Sequence, residues 1–222
     1  VVIAGTLIGF SKTGVPGAGI LIVPIMATIF PAKQSIGILL PILICSDLLA
    51  VLYYKHHADK KELLRLLSGC LVGMLFGFIL LAEVSSKNLK SVLGILVISL
   101  LFLEWLRYHL DLQWIGKHSS SGVIIGGLAG FATTIGNAAG PIISIFLLCR
   151  GFYKHNFMGT AAWFFLIANM GKLPVFYRFN LINYQTLILG LWILPFAAFG
   201  IFLGCNLLPK IPQNLFNQFI YG

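Results

Sequence analysis

The sequence predicts an all-α, polytopic membrane protein made of two inverted repeats, each a re-entrant helical hairpin followed by three transmembrane helices, with the last helix truncated. Three observations carry that prediction. Charged residues make up only 9% of the 222 residues and apolar ones 59%, with a mean hydropathy of +0.97, more apolar surface than a compact chain can bury within itself. Apolar blocks of spanning length alternate with two longer blocks interrupted by Gly, Pro, Ser, Thr and Asn. The order of blocks also recurs when the chain is slid by about 122 residues.

The ordinary spans fall near residues 34–54, 63–82, 89–108, 155–176 and 184–205, each long enough to cross about 30 Å of hydrocarbon at about 1.5 Å per residue. The two broken blocks are 1–30 and 122–151. In the first the interruption runs from Ser11 through Gly19, and in the second from Thr133 through Pro141, runs that helix interiors rarely tolerate. Sliding one half onto the other sets Gly5, Gly9 and Phe10 on Gly126, Gly130 and Phe131, Thr13 on Thr134 and Gly19 on Gly140. Further on, Gly37 meets Gly159, Asp47 meets Asn169 and Gly77 meets Gly200. The repeats are therefore placed at 1–112 and 118–222 within a single membrane domain. The chain begins at Val1 and stops at Gly222 just as an apolar segment opens at Leu215, so it reads as trimmed at both ends.

Charge decides the topology. If each broken block is one kinked span, Lys and Arg divide seven against six between the two sides. If each is a re-entrant hairpin, Lys55, Lys60, Lys61, Arg65, Arg107, Lys117, Arg150, Lys154 and Lys210 share one side, against Lys33, Lys87, Lys90 and Arg178. Nine against four obeys the positive-inside rule, and it makes the two halves inverted. The formal net charge of +9 is spread over these loops without a basic stripe, which excludes nucleic acid as a partner.

Half-helices of about ten residues reach the bilayer midplane, where non-helical backbone is tolerated only around a polar cavity. The hairpin tips are therefore the candidate binding site: Ser11, Lys12, Thr13, Gly17, Ala18 and Gly19 in the first, Thr133, Thr134, Asn137, Ala138, Ala139 and Gly140 in the second. Small residues admit a ligand to backbone N–H groups, and helix N-termini attract anions. Lys12 is the one charge in either tip; it serves an anion, or it pairs with Asp47, or it reaches an interface. Asp47 is either helix-helix glue or a coupling residue, and Asn169 is its uncharged counterpart.

Other residues read more simply. Gly69, Gly73 and Gly77, spaced by four, suggest close helix packing. Tyr53, Tyr54, Trp105, Trp114, Tyr177 and Tyr184 suggest interfacial anchors. Lys172 and Arg178 are expected to reach headgroups, with the cavity as a second option for Lys172. Trp163, Phe164 and Tyr177 are candidates to hold an organic part of a substrate, with core or lipid contact as the default. Cys45, Cys70, Cys149 and Cys205 have neither CxxC spacing nor clustered co-ligands, so no metal and no cofactor is expected.

The pattern Gly5-x3-Gly9-Phe10-x6-Gly17-x-Gly19 leading to Pro24, the Pro31-Ala32 turn and the Gly126-Gly127-x2-Gly130-Phe131 stretch resemble the TauE/SafE family, also called the toluene-sulfonate uptake permeases. The second tip departs from that family's denser glycine run, with Asn137-Ala138-Ala139-Gly140 in its place. The resemblance implies a multi-pass protein of the bacterial inner membrane that transports sulfite or sulfonates and is not an enzyme. A small anionic substrate and the lipid bilayer are the expected partners, and a homodimer is left open. Two other readings stand beside it. An intramembrane thiol-disulfide oxidoreductase requires cysteines at matching repeat positions, which this chain lacks; an anion channel shares the tip geometry.

Overall fold

A computed structural model of the chain describes residues 2–13, 22–109, 116, 118, 120–213 and 215. Its helices are α1 (Val2–Thr13), α2 (Ile22–Ile29), α3 (Ala32–Tyr54), α4 (Lys60–Glu83), α5 (Ser86–His109), α6 (Ser121–Gly136), α7 (Gly140–Cys149), α8 (Lys154–Arg178) and α9 (Tyr184–Leu207). Single 3-10 turns follow α3 and α9 at Lys55–His57 and Leu208–Lys210. The segments Ala32–His57, Lys60–Glu83, Asn88–Leu106 and Tyr184–Lys210 are long and apolar enough to cross a membrane. At 25 residues α8 is as long, but it carries Asn169 and Lys172 in its length and buries both.

The five ordinary spans expected from hydropathy lie in α3, α4, α5, α8 and α9, with ends shifted by at most three residues. Caps account for two of the starts. Asp59 accepts the N–H groups of Lys61 and Glu62 at the head of α4, at 2.9 and 3.0 Å, and Asn183 closes a capping box with Thr186 at the head of α9.

The breaks are shorter than the sequence suggested. Helix α6 continues through Thr133 and Thr134 to Gly136, because the Thr134 hydroxyl donates to the Gly130 carbonyl at 2.8 Å and so adds a polar group without leaving the helix. It stops at Asn137, whose φ of 51° is left-handed, a conformation Asn tolerates at a helix end. Three residues later α7 begins, with Pro141 in its first turn. Helix α1 likewise runs through Ser11 and Lys12 to Thr13.

Contacts fix which helix ends lie together. Arg150, after α7, donates to the carbonyl of His118, before α6, at 3.0 Å, so the α6–α7 hairpin returns to the end of the bundle it left. That end also gathers Glu62 beside Arg150 at 3.4 Å, His57 beside His155 with ring centroids 5.4 Å apart, and Lys154, whose ammonium donates to the Ile211 carbonyl at 2.7 Å. At the opposite end, the Gly37 backbone lies against the Leu181 carbonyl, and Ser35 donates to the Met26 carbonyl at 3.1 Å.

Glycine governs the closest crossings. A methyl group at Gly73 would meet the Gly127 carbonyl oxygen at 1.8 Å, and one at Gly69 the Val123 oxygen at 1.8 Å, so α4 and α6 touch backbone to backbone. Helices α1 and α9 do the same through Gly9 on the Ala197 oxygen and Gly200 on the Thr6 oxygen. Helix α3 packs on α8 and α9 at the centre: 67% of its most apolar stretch is buried, against 17% for that of α5, which lies outermost.

Replacing Gly73 by Leu should therefore separate α4 from α6, at a cost of at least about 1–3 kcal/mol. Gly94→Ala, where an added methyl meets nothing within 4 Å, should be neutral or stabilising by up to about 1 kcal/mol. Thermal unfolding of the two detergent-solubilised variants checks the contrast.

Candidate functional site

The cavity between the hairpins and α8 is built from short-range helical geometry. On α8, Met158, Ala161, Ala162, Phe165 and Asn169 recur at three- and four-residue spacing, so one stripe faces it. Ser11 and Lys12 from α1, Ile22 from α2, and Leu39 and Leu43 from α3 form another wall. Thr133 on α6, the tip residues Asn137 and Ala138, and Gly140, Pro141 and Ser144 on α7 complete it. The N-terminus of α7 has no side-chain cap, so its positive dipole end lies in this wall. The volume is about 60 Å³, several times the roughly 10–15 Å³ needed to hold one water.

Among the described residues lining the cavity, Lys12 carries the one formal charge. Its ammonium sits 2.7 Å from Asp47 Oδ1 and 3.9 Å above the centre of the Phe165 ring. Asp47 has no solvent exposure, and its other oxygen accepts from the Asn169 amide at 2.6 Å. The two residues that the repeat offset pairs are thus in direct contact. Lys12 pairs with Asp47 and lies on the cavity wall with 12% of its side chain exposed.

A second ammonium lies just behind. Lys172, fully buried, donates to the Thr133 carbonyl and hydroxyl, each at 3.0 Å, and to Asn137 Oδ1 at 2.6 Å. The expectation that Lys172 reaches headgroups is corrected: three acceptors on the second tip meet the three N–H bonds of its ammonium inside the protein. Asn137 in turn donates through Nδ2 to the Ile36 carbonyl at 3.3 Å, which ties the tip to α3. Spacing held the clue, because Lys172 follows Asn169 by three residues on the stripe that faces the site.

Of the residues proposed from sequence, the cavity brings together Ser11, Lys12, Thr133, Asn137, Ala138 and Gly140, with Asn169 on its wall and Asp47 behind Lys12. Thr13 turns away, donating to the carbonyls of Gly9 and Ile201 at 3.2 and 3.1 Å. Thr134 packs against Gly77, and Ala139 is buried in the apolar cluster around Phe146. Gly17, Ala18 and Gly19 lie outside the described residues, as does Trp114. Tyr54, expected as an interfacial anchor, is buried instead, and its hydroxyl donates to the Thr13 carbonyl at 3.2 Å. The aromatic side chain at the cavity is Phe165, whereas Phe164 is core and Tyr177 is exposed. Ser144 was not singled out either; it follows Gly140 by one turn and donates to its carbonyl at 2.8 Å.

The family model described as "Sulfite exporter TauE/SafE" matches residues 1–222. The chain belongs to the TauE family, a family of membrane transporters of sulfite and sulfonate type. No curated protein and no solved structure matches the chain.

Lys172→Met should leave the acceptors of Thr133 and Asn137 without their donor, destabilising the protein by about 1–3 kcal/mol. Lys90→Met, at an exposed position, should change the melting temperature little. Parallel thermal melts check both.

Proposed function

We propose that this chain is a secondary transporter that moves a small sulfur-containing anion, sulfite or an organosulfonate, across the inner membrane through the cavity between its hairpin tips. The observation that carries this reading is the cavity's own chemistry: an ammonium at the wall, a second one behind it, neutral hydroxyl and amide groups, and an uncapped helix N-terminus. A cavity of this size suits a compact oxyanion, and the apolar wall of Met158, Ala161, Ala162 and Phe165 suits a short organic tail. Sulfite-type transport is also what the family is known by, and the reading is one of transport rather than catalysis.

The architecture we assign is two inverted repeats, 1–112 and 118–222, each led by a re-entrant hairpin. Support comes from paired contacts. Helix α6 packs on α4, and α1, its repeat counterpart, packs on α9, the counterpart of α4. Gly37 meets the turn after α8, and its counterpart Gly159 meets the turn after α3. The end that gathers Lys55, Lys60, Lys61, Arg150, Lys154 and Lys210 is then cytoplasmic. Such a pair of inverted halves gives a transporter two mirror-related arrangements around one site. The exposed apolar side chains of α4 and α5, such as Leu71, Phe76, Ile95 and Ile98, face lipid in this reading.

In proteoliposomes loaded with sulfite or a sulfonate, Lys12→Ala should lower apparent affinity about tenfold or more, the worth of a charge-assisted hydrogen bond of about 1.5–3 kcal/mol. Lys12→Arg should retain part of it. The pair Lys12→Ala with Asp47→Asn should stay defective; recovery would assign Lys12 to neutralising Asp47 alone. Accessibility tags in 55–61 and 150–154 should label from one face and a tag in 179–183 from the other, whereas tags at 55–61 and 150–154 on opposite faces would restore the kinked-span topology.

A further inference from the structure

We infer that Asp47 is the proton-accepting group of a proton-coupled anion site: a dianion binds together with one proton carried on Asp47, and a monoanion binds with none. This deepens the transport reading and rests on it.

The argument begins with a count of charge. Lys12 and Lys172 contribute two positive charges beside the cavity and Asp47 one negative, so the site holds a surplus of one. Three acceptors, a carbonyl, a hydroxyl and an amide oxygen, none of them a carboxylate, match the three N–H bonds of a Lys172 ammonium. Among the described residues packed around Asp47, no other acid adjusts the sum. The elements around Asp47 offer Lys12 from α1 and Asn169 and Lys172 from α8; α2 has no ionisable side chain, α5 carries its own near its two ends, and α9 offers Tyr184 and Cys205. Helix α3 itself adds Cys45 and the tyrosines at its end, and the 3-10 turn after it Lys55, His56 and His57. Glu62 is engaged by Arg65 and Arg150 at the end of the bundle.

An uncompensated charge at bilayer depth is costly. A monoanion cancels the surplus of one. A dianion overshoots by one negative charge, and the group beside it that can take up a proton is the Asp47 carboxylate. Protonation there also releases the Lys12 ammonium from its 2.7 Å ion pair, leaving it to meet the second negative charge of the ligand.

Hydrogen bonding supports the same assignment independently. Asn169 Nδ2 donates to Asp47 Oδ2 and Asp47 Oδ1 is met by the Lys12 ammonium, while Asn169 Oδ1 is buried without a hydrogen-bond partner among the described residues. Once the Lys12 ammonium turns to the ligand, Asp47 Oδ1 lacks a donor as well. A proton on Asp47 Oδ1 supplies it and turns the pair into a carboxylic acid facing an amide, the arrangement in which each group both donates and accepts. The proton comes from the aqueous phase with the anion; no bond in the anion is broken.

The test uses the purified full chain and two anions whose own charge is constant near neutrality, sulfate for the dianion and methanesulfonate for the monoanion. Titration calorimetry in buffers of different ionisation enthalpy counts the protons taken up. Sulfate should bring about one proton, with affinity rising about tenfold for each unit the pH falls, and methanesulfonate should bring none and bind independently of pH. In Asp47→Asn the sulfate slope should vanish. Sulfate binding without a proton, or with its slope intact in Asp47→Asn, would overturn the proposal; if that variant does not fold, the wild-type proton counts for the two anions decide alone. Failure of the wild type to bind either anion would instead defeat the anion site itself.

Discussion

A carboxylate with no solvent exposure, on a helix at the centre of a membrane protein, has to be answered from within the protein, and the arrangement around Asp47 is that answer. Its two oxygens call on two different helices: Lys12 from α1 and Asn169 from α8. Meeting both sets the depth of the first hairpin arm against α3 and holds α3 against α8 at that level. Breaking one partner would strand a buried charge, a defect worth about 3–5 kcal/mol in proteins generally. The central contact of the bundle is therefore electrostatic, in a chain that is otherwise overwhelmingly apolar.

The second tip solves the complementary problem, an ammonium without a carboxylate. Lys172 finds only neutral oxygens, and those oxygens are delivered by the way α6 ends. Because Asn137 adopts the left-handed conformation that closes the helix, its side chain is available at the tip, where Oδ1 accepts from Lys172 and Nδ2 donates to α3. A glycine would close the helix equally well but hold nothing. The departure from a glycine-rich tip that the sequence displays at this point thus has a structural use.

Much of this was legible in the residues. The spans, the two interruptions and the small-residue crossings follow from composition and spacing, because lipid demands length and apolarity and close crossings demand glycine. The offset that pairs Asp47 with Asn169 located two residues that touch. What remained hidden was rotation and depth. Lys172 lies near the end of its helix, and hydropathy cannot say whether a terminal lysine turns outward or inward; the stripe through Met158, Phe165 and Asn169 settles it only once one face is known to be the inner one. Tyr54 was misplaced for the same reason, since an aromatic ring at a helix end serves an interface or a buried acceptor equally well. The length of the tips was overestimated because threonine and serine were counted as helix breakers, although a hydroxyl bonded to the preceding turn leaves a helix intact.

The glycine crossings bear on how such a chain is made. The groove of Gly69, Gly73 and Gly77 on α4 is filled by α6, which is synthesised some fifty residues later, and the small-residue face of α1 is filled by α9, from the far end of the sequence. Neither half satisfies its own surfaces. During biogenesis the first half must wait in the membrane with its backbone grooves lined by lipid, and assembly is completed by exchange of those lipids for helices of the second half. Insertion and folding are thereby separated in time, and what quality control would recognise in an incomplete chain is a strip of bare backbone where a neighbouring helix belongs.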